Sequence, residues 1–164
     1  MVLFAITSFV FLAAIWGRST QQRVASVTLK AAADLKMDGE RLHTQLTEVD
    51  VDEILTAKNL SRETLTDEQQ RLKNAERALD TYESAYGRRI ADTVAKVKAI
   101  DMRSAADFSN GVDRSTPALK QGLRDWREYL GVEESIVAFL LQRVNHIQRD
   151  GSKVLYDSQQ EAKL

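Results

Sequence analysis

Residues 117–144 read PALKQGLRDWREYLGVEESIVAFLLQRV. Leu119, Leu123, Trp126, Leu130, Glu133, Val137, Leu140 and Val144 recur in steps of four and three, and Ile147, Gly151 and Val154 prolong the series. Such spacing lays side chains along one stripe of an α-helix. Thr116 ahead of Pro117 supplies a start, because proline at the first helical position has no needed N–H to lose. The pattern predicts one helix over 117–158. Gly131 is its weak point, and a C-cap there, giving two shorter helices, is the competing division. The run IVAFLL at 136–141 is apolar on all sides and far too short to span a bilayer. Ile136, Val137, Phe139, Leu140 and Leu141 are therefore either the most buried layer of a bundle or a surface for a protein partner.

Similar stripes lie upstream. Leu72, Ala75, Leu79, Tyr82 and Tyr86 alternate steps of three and four, and Ile90, Val94, Val97 and Ile100 follow. The two steps of four from Tyr86 to Val94, close to Gly87, resemble a stutter that relaxes a left-handed supercoil. This predicts a helix ending near Asp107, with Asn110-Gly111 as the stop. Its start is either Ser61 as cap with Leu60 and Leu65 as hydrophobic staple, or Thr66 as cap with Gln69 completing a capping box. Further upstream, Val24, Val27, Ala31, Leu35, Leu42, Leu46 and Val49 mark a first helix, with Gly39 interrupting its stripe. The acidic stretch EVDVDE at 48–53 suits a break and a new cap at Asp50 or Asp52. The fold predicted is all-α: an elongated antiparallel bundle of three long helices, each roughly 60–70 Å. A four-helix bundle, from division of the first or third segment, is the alternative.

Residues 1–17, MVLFAITSFVFLAAIWG, carry no charge. A bilayer core needs about 20 apolar residues, with about 17 the lower limit. Val2, Leu3, Phe4, Ile6, Phe9, Phe11, Leu12, Ile15 and Trp16 are accordingly read as an N-terminal transmembrane helix, with Trp16 and Arg18 at the interface. A cleaved signal peptide competes, although a basic n-region is missing and Ala13–Trp16 makes a poor cleavage site. The chain then divides into an anchor, 1–17, and a helical domain, 18–164. The predicted location is a single-pass membrane protein. Arg18, Arg23 and Lys30 argue for a cytoplasmic domain. The common behaviour of N-terminal anchors argues for an exported or periplasmic one, to which the reading leans.

Composition narrows the function. The 164 residues hold 23 basic and 24 acidic side chains, evenly spread, for a net charge of −1. Without a basic stripe there is no electrostatic footprint for nucleic acid. Cysteine is absent, which excludes disulfides, thiolate catalysis and Cys-ligated metal. His43 and His146 have no second histidine at the spacing of a helical metal pair. The acidic stretch 48–53 lacks the glycine and spacing of a calcium loop and reads as a cap or solvated face. Glu133 occupies a core position. It either makes a register-setting ion pair or ligand contact, with Arg124, Arg127, Arg77 or Lys73 as partners, or turns outward at Gly131. Tyr82, Tyr86, Trp126, Tyr129 and Phe139 at helical spacing read as core rather than as a ligand pocket. No catalytic, cofactor-binding or metal residue is assigned. The function expected is that of a membrane-anchored, non-enzymatic helical protein acting by protein–protein interaction as a scaffold, spacer or assembly subunit. Its partners are the bilayer through residues 1–17 and another protein or a second copy. The alternative is a ligand-sensing bundle of a membrane-tethered sensor.

Overall fold

Apolar residues three and four apart, separated by charge, build three long helices. The computed structural model describes residues 20–49, 51, 60–150 and 153–156, with side chains as far as residue 145. Helix α1 spans Thr20–Thr47, α2 Arg62–Lys98 and α3 Met102–Arg143, at 28, 37 and 42 residues. They form an all-α bundle. Helix α2 packs between the other two, which approach each other less closely. After α3 come a 3₁₀ turn, Val144–His146, and a small antiparallel hairpin, β1 Ile147–Asp150 with β2 Lys153–Tyr156.

Helix α2 starts at the first of its two candidate caps. The N–H of Thr64 donates to Ser61 Oγ and the N–H of Ser61 donates to Thr64 Oγ1, each at 3.1 Å. Leu65 is fully buried and Leu60 packs against the same core, as a hydrophobic staple requires.

The turn between α2 and α3 falls earlier than the sequence pattern indicates. Helix α2 ends at Lys98, and the N–H groups of Ile100 and Asp101 both donate to the Val97 carbonyl, at 2.9 and 2.8 Å. Asp101 then caps α3. Its Oδ2 accepts from the Ser104 N–H at 2.7 Å and also from the Ser104 hydroxyl. Asn110, Gly111 and Pro117 lie inside α3 and do not divide it. A proline in a helix interior removes one backbone bond, here to the carbonyl of Asp113. Asp113 and Pro117 are both exposed, so water can take that bond's place. The hydroxyls of Ser115 and Thr116 donate to the Val112 carbonyl at 3.0 and 2.8 Å, tying the preceding turn together.

The Asp101 cap makes stability respond to acid. The Ser104 hydroxyl and N–H, which bond the ionised carboxylate, hold the Asp101 pKa below its ordinary value. A depressed folded-state pKa gives stability that is present above the unfolded pKa and lost as pH falls through the folded one. Denaturant midpoints of the native chain should therefore fall more steeply on acidification than those of Asp101→Asn, since asparagine caps without titrating. Parallel slopes for the two would show that Asp101 does not act in this way.

The expected continuation of the last helix to residue 158 is not found: α3 stops at Arg143 and the chain enters the hairpin. The ladder pairs Asp150 with Lys153. Asp150-Gly151 is a hairpin signal that the heptad count absorbs as one more seam position. Gly131 does not end the helix, which runs continuously through it.

The main core lies toward one end of the bundle. Leu42 and Leu46 of α1, Leu65, Leu72, Ala75, Ala78, Leu79 and Tyr82 of α2, and Leu123, Leu130, Val137 and Leu140 of α3 form it, together with Val49 and Val51. Towards the other end the buried positions are smaller: Thr93, Val97, Ser104, Ala105 and Val112. Gly39 is buried where α1 meets Tyr82, whose hydroxyl lies 3.8 Å from where a Cβ on Gly39 would be.

Among the described residues no helix is long and apolar enough to cross a membrane. Helix α1 alone carries Arg23, Lys30, Asp34, Lys36, Asp38, Glu40 and Arg41. This finding overturns the expectation of a single-pass membrane protein with an exported or periplasmic domain. The nine residues read as an anchor, Val2, Leu3, Phe4, Ile6, Phe9, Phe11, Leu12, Ile15 and Trp16, lie outside the described residues.

Candidate interaction surfaces

Two arginines bind neighbouring helices together. Arg89 of α2 donates from Nε to Asp38 at 2.7 Å and from Nη1 to Asp34 at 3.0 Å, so it grips two carboxylates one turn apart on α1. Arg127 of α3 does the same to α2, reaching Asp80 at 2.9 Å and Glu83 at 2.7 Å. The hydrogen bond to Asp38 is the chief reason that the Arg89 pKa stands above its ordinary value; for Arg127 it is the bond to Glu83. Both arginines are more than a third exposed. Exposed pairs contribute about 0–1 kcal/mol each, so these forks set helix register more than they add stability.

Between α1 and α2 runs an open groove of about 440 Å³. Its walls bear Arg41, Gln45, Arg71, Asn74 and Arg77, with Tyr82 at its floor. Burial first, then the neighbouring Tyr86 and Asp38, raises the pKa of the Tyr82 phenol. The phenol therefore stays neutral. The groove is open, and Leu42, Ala78 and Ala85 line it beside the polar residues; it differs from the enclosed pockets that hold small ligands.

Among the described residues, an exposed apolar face lies on α3. Tyr129, Val132 and Phe139 are 42%, 55% and 41% exposed. Trp126 meets Tyr129 edge to face with ring centroids 5.6 Å apart. The Arg143 guanidinium lies over the Phe139 ring, 4.1 Å from its centroid. Ile136, half-buried against the core, joins this face to the interior.

The apolar run 136–141 is thus divided by helix geometry. Val137 and Leu140 are core, 0% and 3% exposed, and Ile136 and Leu141 pack partly against it. Only Phe139 stands outward among the five residues that the sequence offers as a partner surface. Tyr129 and Val132, which complete the exposed face, were not among them. They sit three and four residues from Val132 and Ile136, a second stripe next to the core stripe.

Glu133 is half-buried, and none of the ion pairs found among the described residues includes it. Arg127, one of its expected partners, is engaged by Asp80 and Glu83 instead. Among the described residues the buried carboxylate is Glu68, 1% exposed, with Arg71 Nη1 3.4 Å from its Oε2. Carrying the stripe of Leu72 back by steps of four and three places Glu68 and Leu65 on it, so the sequence did hold this signal. His43 is exposed, and the side chain of His146 lies outside the described residues. Among the described residues no three His, Cys, Asp or Glu side chains are grouped to hold a metal ion. Of the acidic stretch 48–53, only residues 48, 49 and 51 are described. No family model, curated protein or solved structure matches this chain.

Proposed function

We propose that this chain acts by protein–protein interaction, as a non-enzymatic helical scaffold, spacer or assembly subunit. The observation that supports the reading is the exposed apolar face of α3, formed by Tyr129, Val132 and Phe139 beside half-buried Ile136. Aromatic side chains with an arginine at the edge are the composition enriched at protein interfaces. The groove between α1 and α2 lends a ligand-sensing reading less support, being open rather than enclosed.

A photo-crosslinking phenylalanine analogue tests the proposal. Placed at Val132 in the full chain inside producing cells, it should give discrete adducts with protein. Placed at exposed Lys120, about a third of a turn away round the same helix, it should not. No adduct from Val132, or the same adducts from both positions, would count against an interaction face here.

A further inference from the structure

We infer that the exposed face of α3 pairs with the same face of a second copy of this chain, antiparallel, about a two-fold axis level with Glu134. The inference rests on the interaction reading above and names its partner. Along α3 run Asp125, Tyr129, Val132, Ile136, Phe139 and Arg143, at steps of four, three, four, three and four. At about 100° per residue these six side chains fall within roughly 40° of one line on the helix surface. The spacing is the same read from either end. The chemistry also reverses onto its complement: acid, aromatic, aliphatic, aliphatic, aromatic, base.

Turning a second copy end for end therefore sets Asp125 against Arg143, Tyr129 against Phe139 and Val132 against Ile136, each pair occurring twice. An isologous interface requires this self-complementarity, in which residue i meets j and j meets i. Charge chooses the direction, because a parallel pair would oppose Asp125 to Asp125 and Arg143 to Arg143. Asp125 is exposed, and Gln121 bonds one of its carboxylate oxygens, Oδ1, leaving Oδ2 for a partner. Arg143 caps the other end of the stripe above Phe139.

Sedimentation of the purified full chain across a dilution series tests the pairing, with circular dichroism to check that each variant is folded. The native chain should sediment as a dimer. Asp125→Arg and Arg143→Asp, each alone, should weaken dimerisation by about tenfold or more, since each creates two like-charge contacts. An equimolar mixture of the two single variants should recover dimer, as should the double reversal, because both restore opposite charges in antiparallel register. A monomeric native chain, or a dimer indifferent to the single reversals, overturns the proposal. A monomer that still gives Val132 crosslinks to a protein of different mass would overturn self-pairing while leaving the interaction reading intact.

Discussion

Leu140→Ala is expected to lower the free energy of unfolding by about 2–5 kcal/mol, from lost transfer energy plus the cavity left behind. Leu140 is 3% exposed and shares the core with Leu130 and Val137, both fully buried. Gln142, two residues away and exposed, provides the control, and Gln142→Ala should change stability by less than about 0.5 kcal/mol. Urea titrations followed by circular dichroism compare the two, with an unchanged slope confirming a change in stability alone. A Leu140→Ala chain that unfolds at the native midpoint would mean that this stretch of α3 faces outward and that the seam is misplaced.

Pro117→Ala should act in the opposite direction, raising stability by about 2 kcal/mol. Proline in a helix interior is about 3 kcal/mol less favourable than alanine, through its missing N–H and its clash with the carbonyl four residues back. Part of the gain is offset, since proline also restricts the unfolded chain by about 0.4–1 kcal/mol. The sign is what discriminates. Pro117 lies within α3, fifteen residues after its first residue, Met102. Had a helix begun at Pro117, the same substitution would be neutral or harmful, because proline suits the first helical position. A lowered urea midpoint for Pro117→Ala would thus restore the turn at 110–116 and remove the one at 99–101.

The candidate interaction face was only partly legible. An apolar run of six draws the eye to 136–141, but a helix turns about 100° per residue and distributes such a run between core and surface. Residues 137 and 140 went inward and 139 outward. The face itself is built from residues spread over 125–143, of which only Ile136 and Phe139 belong to that run. Glu68 was overlooked for a related reason. A glutamate ahead of a polar stretch reads as surface, and only its phase with Leu65 and Leu72 shows that it is buried.

The helical class and the alternation of core positions in α2 and α3 follow from the sequence alone, which also narrows the cap of α2 to Ser61 or Thr66. Each rests on interactions within a few residues of chain: the 3.6-residue period, and a side chain that satisfies nearby N–H groups. The position of the second turn and the end of the last helix did not follow. Asn110-Gly111 and Pro117 are stronger local breakers than Ala99-Ile100-Asp101, and the series of fours and threes runs on through Gly151. Local signals carry energies of one to a few kcal/mol (about 1 for glycine, about 3 for proline). Burying Val112, Leu123, Leu130, Val137 and Leu140 along one unbroken α3 against α2 outweighs them, at about 1.5–3 kcal/mol for each large side chain. Which turn the chain takes is settled by the sum of contacts between helices far apart in sequence, and that sum exists only once the three helices are packed.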